Sequence, residues 1–510
     1  MNQALTPGLI IGIIIAYFAV LIGISWWTSR GESDNESFFL GGRKSPWPLV
    51  AIGMVGASLS GVTFISVPGK VGTGADFSYM QMVFGYLAGY LFIATVLLPL
   101  YYRLQLTSIY EYLGQRIGPH AYRLGSAYFL LSRTVGAALR LFLVAIVLQE
   151  FVTGPLGVPF FLTVAITIVL IWLYTFRGGI RTIVYTDTLQ TLFLLTAAAL
   201  TVYYIGQALP ADMSTMVSLI DASGYDQIFF FENGWSDPNN FWKLFISGAL
   251  ITITMTGMDQ DMMQKNLSMS NVRDAQKNMA AFSIVLVVAN LLFLALGALL
   301  YLYASRIGLT IPEATDQLYP TIALRHLPPV AGIVFILGLV AAAYSSADSA
   351  LTALTTSFCV DFLGMKEEDE EDGTERSGGI QRQRLLVHVG FSVILLIIIL
   401  IVRSLDNKAV IDNLFKAAGY TYGPLLGLFA YGLGTRLRLR EVVKVGSANV
   451  PVLILVCILA PALAILVDLN SEEWLWDFKF GFLIIAFNGL LTFLGLVALS
   501  DFSDLEDPEA

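Results

Sequence analysis

The chain has 510 residues, 56% of them hydrophobic and only 13% charged, with a mean hydropathy of +0.72 and a net charge of −9. A soluble domain of this size carries far more polar surface, so a water-soluble fold is excluded. Two cysteines in apolar runs, Cys359 and Cys457, read as free packing residues, the scattered His120, His326 and His388 form no metal-ligand cluster, and no nucleotide-binding glycine motif occurs, which argues against an ATP-driven pump and most enzymes.

Thirteen apolar runs follow one another at about 9–27, 47–75, 79–101, 124–152, 160–176, 183–206, 241–260, 280–304, 330–363, 385–403, 409–434, 449–468 and 479–499. Each is close to the roughly 20 residues that cross a bilayer core of about 30 Å. The expected fold class is therefore an all-α integral membrane protein with about thirteen transmembrane helices in one domain, 1–510. The first run has no basic residue before it and no small-residue cleavage pattern after it, so it reads as a retained helix. With the N-terminus outside, nineteen of the 29 Lys and Arg fall in inside loops and eight in outside loops, Arg133 and Arg140 lying within a span. That bias predicts a multi-pass plasma-membrane protein with a cytoplasmic C-terminus.

The second run holds "VGASLSGVTFISVPGKVGTG", rich in Gly and Pro. Irregular backbone at membrane depth is tolerated where it lines a cavity. A break near Ser58–Gly61 would free the carbonyls of Ala57 and Ser60 to ligate a hard cation. A kinked packing helix, with Gly at close contacts, is the plainer alternative. In the fourth run Arg133 and Arg140 stand seven apart on one face. They read either as halves of structural ion pairs, with Asp348 or another acid, or as a guanidinium held for a substrate carboxylate. Asp187, in "VYTDTLQTL", opens the sixth run. Asp259 and Asp261, in "GMDQDMMQK", end the seventh and are expected at the interface, facing water.

The ninth run carries "AAYSSADSALTALTTS", Ala342 to Ser357. Ser345, Ser349, Thr352 and Thr356 form one helical stripe, with Asp348 one edge over. Bonding back to the helix's own carbonyls accounts for Thr352, Thr355, Thr356 and Ser357. It does not account for Asp348, since an intramembrane carboxylate is costly and usually paired or functional. The charge run "KEEDEEDGTE" in the 364–380 loop and the acidic tail "DFSDLEDPEA" read as solvated segments.

Six motifs in order, "SFFLGGR", "GASLSGVTFISVP", "RGGIRTIVYTDTLQ", "GMDQDMMQK", "AAYSSADS" and "YGPLLGLFAYG", spanning 37 to 432, give the chain a resemblance to the sodium/solute symporter family. The resemblance implies a LeuT-type core of two inverted five-helix repeats at 47–434, one extra N-terminal helix at 9–27 and two C-terminal helices at 449–499. It implies a principal Na⁺ site at the carbonyls of Ala57, Ser60 and Ala342 and the hydroxyls of Ser345 and Ser346, and a second at Asp187, Ser345, Asp348 and Ser349. At the position of Asp348 the family usually has a small or hydroxyl residue. This carboxylate could ligate the ion, pair with an arginine or carry a proton. Sialic acid members use an arginine where this chain has Arg140. With it we group Thr63, Gln81 and Thr256 as the expected substrate-binding residues.

The expected function is Na⁺-coupled symport of a small carboxylate-bearing solute, anionic or zwitterionic, by alternating access. Na⁺ is the coupling ion, lipid the surroundings, and neither nucleic acid nor an obligate protein partner is implied. One Na⁺ falling through 100 mV would concentrate a neutral solute about 50-fold. A monoanion cancels that drive and a second Na⁺ restores it, so an anion-binding Arg140 and a second cation site support each other. Proton coupling through Asp348 and a solute sensor are the alternatives. The short stretch after the last run favours transport over sensing.

Overall fold

A computed structural model of the chain describes residues 7–28, 40–175, 179–209, 212–232, 234–365, 375–404, 410–440, 442–445 and 448–501. The acidic stretch 366–374 and the tail 502–510 lie outside the described residues. Helices occupy every apolar run: α1 Pro7–Thr28, α2 Trp47–Ser58, α3 Gly61–Thr73, α4 Tyr79–Arg103, α5 Pro119–Leu156, α6 Phe160–Thr175, α7 Gly179–Ala208, α8 Phe241–Gly257, α9 Gln260–Leu267, α10 Val272–Ile307, α11 Pro329–Phe362, α12 Glu375–Ser404, α13 Val410–Gly434, α14 Val452–Leu469 and α15 Gly481–Ala498. Among the described residues, nine are long and apolar enough to cross a membrane, or eleven when each of two bent pairs counts as one span. Exposed aliphatic side chains such as Ile394, Ile397, Ile401, Ile458 and Leu459 stud the outer helices, as a lipid-facing surface requires. The chain is a multi-pass membrane protein.

The two bent pairs organise the fold. The second span breaks between α2 and α3 with a 55° bend, and the seventh between α8 and α9 with a 62° bend. They stand five places apart in the order of spans, with four spans between, the relation that two five-helix repeats demand and that no residue similarity announces. Leu59 and Ser60 interrupt the first pair, where glycines on either side weaken the helix. At the second, Gly257 ends a wide turn and Asp259 restarts the helix as an N-cap, accepting the N–H groups of Asp261 and Met262. The seventh span was expected to stop at 260. It continues, bent and buried, to Leu267.

Two further differences are local. A hairpin, Val442–Val445 with Ala448–Pro451, delays the twelfth helix to Val452. Arg438–Leu439 pairs antiparallel with Ser500–Asp501, tying the end of α15 to the segment after α13.

Small residues set the closest helix approach. A Cβ on Gly248 of α8 would lie 2.2 Å from the Met82 carbonyl of α4, and one on Gly85 of α4 would lie 2.1 Å from the Phe245 carbonyl of α8. Neither backbone can yield without parting the helices. Gly248→Ala should therefore cost about 1–3 kcal/mol, read as a lower unfolding temperature in detergent. Gly12→Ala, with nothing within 4 Å of its Cβ, should leave that temperature unchanged.

Candidate functional site

The two breaks differ in what happens to their carbonyls. At the second, the Tyr101 hydroxyl donates to the Gly257 carbonyl at 2.8 Å and the Tyr110 hydroxyl to that of Met258 at 3.0 Å. This break is closed by protein. At the first, Leu59 N–H reaches Val55 O, Ser60 N–H reaches Ser58 O, and Phe64 N–H reaches Ser60 O. The Ser60 carbonyl, expected free, thus accepts the first bond of α3 and keeps one lone pair. The Gly56 and Ala57 carbonyls receive no backbone N–H. One broken helix is capped and the other is left open to a ligand.

Helix α11 lies against the open break. Ser345 Oγ sits 3.3 Å from where a Cβ on Gly56 would fall, and that Cβ would also meet Thr191 Oγ1 at 2.2 Å, so only glycine fits. The hydroxyls of Ser345 and Ser346 are buried and make no hydrogen bond, although Ser345 lies close to Asp187. Buried hydroxyls normally find a partner. Two orphan hydroxyls and unbonded carbonyls across the contact form an oxygen-only donor set of the kind a hard cation takes.

Beside the break is a cavity of about 70 Å³, lined in part by Ser58, Ser60, Thr63, Tyr86, Arg140 and Thr256. Thr256 reaches it from the wide turn that ends α8. Asn290 adds a carboxamide whose nitrogen is committed to the Leu286 carbonyl at 2.8 Å and whose oxygen has no partner. Gln81 is elsewhere. Its amide donates to Ser78 O and Asn239 O and accepts from Phe230 N, holding an outer loop onto α4. A vestibule of about 680 Å³ lies beyond, with Lys70, Asp76, Asp316, Lys416 and Lys479 on its walls. Tyr79 lines both spaces, its hydroxyl 2.9 Å from that of Tyr86.

The two arginines part company. Arg133 pairs with Asp261 and lies 3.9 Å from Asp259. Arg140 makes no ion pair within 4 Å among the described residues, Asp259 acting on it only at longer range, its Nε makes no hydrogen bond, and its guanidinium lines the cavity. Neither arginine pairs with Asp348. That carboxylate takes the Tyr174 hydroxyl at 2.8 Å and the Ser349 N–H at 2.6 Å.

Asp259 and Asp261 correct the expectation of solvent-facing residues, since both are buried. Because α9 bends back into the protein, Asp259 caps it and accepts the Tyr422 hydroxyl at 2.5 Å, while Asp261 meets Arg133. Lys265, counted with the inside loops, is 1% exposed. Its ammonium lies 2.7 Å from Asp187 Oδ2, 2.8 Å from Ser349 Oγ and 3.7 Å from Asp261 Oδ1. Asp187 and Ser349, expected to share a second Na⁺, share this ammonium. Asp348 makes no hydrogen bond to it. The i, i+4 spacing of Asp261 and Lys265 was the available signal, hidden because the segment read as loop.

The lower stripe of α11 also differs from expectation. Thr355 does bond back to Leu351 O, but Thr356 accepts Gln264, Ser357 donates to Asp361, and Thr352 Oγ1 has no partner.

The model of the Sodium:solute symporter family matches residues 38–433. The chain belongs to that family. It is 25% identical over 429 residues to the sodium/sialic acid symporter NanT of Aliivibrio fischeri, covering 83% of this chain and 82% of that one. It is 23% identical over 435 residues to the sodium/sialic acid symporter SiaT of Proteus mirabilis, covering 82% and 84%. A solved substrate-bound, outward-open Na⁺-coupled sialic acid symporter superposes with a TM-score of 0.79 at 19% identity, over 96% of this chain and 97% of that one. The fold is therefore of the LeuT type, and the symporter carries a solute with Na⁺ as its coupling ion.

Removing one partner of a buried pair strands the other charge, at a cost of about 3–5 kcal/mol. Arg133→Met should lower the unfolding temperature sharply. The double variant Arg133→Met/Asp261→Asn should recover much of the loss, and a thermal-shift series in detergent checks both.

Proposed function

We propose that this symporter carries a small solute bearing a carboxylate, which docks on Arg140, together with a Na⁺ held at the break of the second span. The carrying observation is Arg140. A guanidinium beside a cavity, with Asp259 acting on it only beyond ion-pair distance, lacks the direct partner that a charge at this depth calls for. A solute carboxylate supplies it bidentately. Thr63, Thr256 and the free Asn290 oxygen stand ready for the polar groups of the rest of the solute. Sialic acid, the solute named for both bacterial relatives, is itself a carboxylate.

The Na⁺ takes the carbonyls of Ala57, Ser60 and Ala342 and the hydroxyls of Ser345 and Ser346. The free Ala57 carbonyl and the two orphan hydroxyls support this set. An ion between α2 and α11 ties the broken helix to its neighbour, and the same break borders the solute cavity. Each ligand thereby orders backbone that the other uses, which is the coupling that symport requires. Lys70, Lys416 and Lys479, outside residues by the charge bias, line the vestibule, so the solute enters from outside past Tyr79. The protein works as a carrier in the plasma membrane, N-terminus outside, and not as an enzyme.

Proteoliposomes with an inward Na⁺ gradient test this against a panel of small carboxylates. Uptake should collapse with the gradient. Arg140→Ala should weaken solute binding by at least about 30-fold while a Na⁺-dependent change in Trp fluorescence persists. Ser345→Ala should raise the Na⁺ needed for half-maximal uptake by about tenfold or more. Uptake that ignores Na⁺ and follows a pH gradient would transfer coupling to Asp348, a buried carboxyl with no cation in hydrogen-bonding contact.

A further inference from the structure

Asp187, Ser349 and Ser345 converge from α7 and α11 into a buried group of one carboxylate and two hydroxyls. Without a positive charge, this group would itself seek a cation. It is served by Lys265. We propose that the Lys265 ammonium is a tethered cation that stands where a second Na⁺ would otherwise bind, so that the chain takes up one Na⁺ fewer than its oxygen ligands could hold.

Geometry and charge agree. The ammonium makes hydrogen bonds of ordinary length to Asp187 Oδ2 and Ser349 Oγ and carries the charge that a Na⁺ would bring. It reaches them because α8 breaks, Asp259 restarts the helix as α9, and Arg133 holds Asp261 one turn before Lys265. The lysine is thus fixed by a capped helix and a buried ion pair. A Na⁺ added about 4 Å from the ammonium would be repelled by roughly a thousand-fold in affinity. Asp348, the nearest other carboxylate on α11, offers no relief, since Tyr174 and the Ser349 N–H hold it. Asp187 Oδ1 and Ser345 Oγ lie beside each other without a hydrogen bond of good geometry and have no other partner, so ligands for a metal ion remain once the ammonium is removed. Unlike Na⁺, this cation cannot leave. It neutralises Asp187 throughout the cycle and drives nothing.

The inference rests on the proposed function only for the existence of a separate principal Na⁺ site. Equilibrium binding of radioactive Na⁺ to the purified full chain, without solute, tests it. Lys265→Met should bind one Na⁺ more per chain than the wild type, and Lys265→Met/Asp187→Asn should lose that ion again. Asp187→Asn alone, which leaves Lys265 with Ser349 and Asp261, should bind as many as the wild type. Equal counts for Lys265→Met and wild type, or loss of one Na⁺ on Asp187→Asn, would overturn the proposal. Should Lys265→Met not fold, Asp187→Asn decides alone. The wild-type count tests the other reading separately. One ion fits the principal site and zero removes it, while the difference between variants still decides the role of Lys265.

Discussion

Four buried charges in alternating sign hold this protein's working parts together: Arg133 of α5, Asp261 and Lys265 of α9, and Asp187 of α7. Ser349 of α11 joins through the same ammonium. None of these charges could be left alone in a region that excludes water, because an unpaired buried ion costs several kcal/mol. Each is acceptable only through its neighbour. The chain of pairs therefore fixes where α9 lies, and α9 in turn fixes the bend of the seventh span. That bend presents Thr256, within the wide turn, to the cavity beside Arg140. Arg140 stands outside this network. The contrast lies in the ion pairs, since its neighbour Arg133, one heptad away on the same face, has Asp261 and Asp259 within 4 Å and Arg140 has no carboxylate at that distance among the described residues.

The two broken helices show how similar geometry acquires different uses. Both breaks release backbone carbonyls at membrane depth, where every unpaired polar group must find a partner within the protein. Two tyrosines satisfy the second break, which is then a rigid corner. Nothing in the backbone satisfies Ala57 at the first, and two serine hydroxyls across the contact are equally unmet. The cation site proposed here is a deficit of hydrogen bonds that the fold sustains with surrounding contacts. Gly56 is one such contact, since any side chain there would push α11 and Thr191 of α7 away from the break.

Much of this was legible in the residues. Apolar run length located the helices, because the bilayer sets that length regardless of partner. The glycines of "GASLSGVTF" marked the first break, and the SSADS serines its neighbour. The second break was missed, although Gly257 and the capping Asp259 lie in plain view, because Asp and Lys near a span's end normally face water. Burial of Asp259, Asp261 and Lys265 depends on Arg133, 128 residues from Asp261 in sequence, and no local pattern reports such a pairing. Gln81 failed for a similar reason. A polar residue early in a span can face a cavity or hold a loop, and only the placement of Phe230 and Asn239 decides that it holds the loop.

A tethered cation alters the energetics that the residues first suggested. An anion-binding arginine and two coupling ions form a consistent electrical scheme, in which each Na⁺ adds about 2.3 kcal/mol per 100 mV. With Lys265 in the second position, a monoanion carried with one Na⁺ moves no net charge. The membrane potential then neither helps nor opposes transport, and a tenfold Na⁺ gradient concentrates the solute at most about tenfold, from about 1.4 kcal/mol. A zwitterion carried by the same machinery would move one net charge and keep the electrical drive. The choice between the two solute classes is therefore also a choice of accumulation ratio. Lys265 would set it without ever touching the solute, because the charge it fixes at Asp187 is one the gradient no longer has to supply.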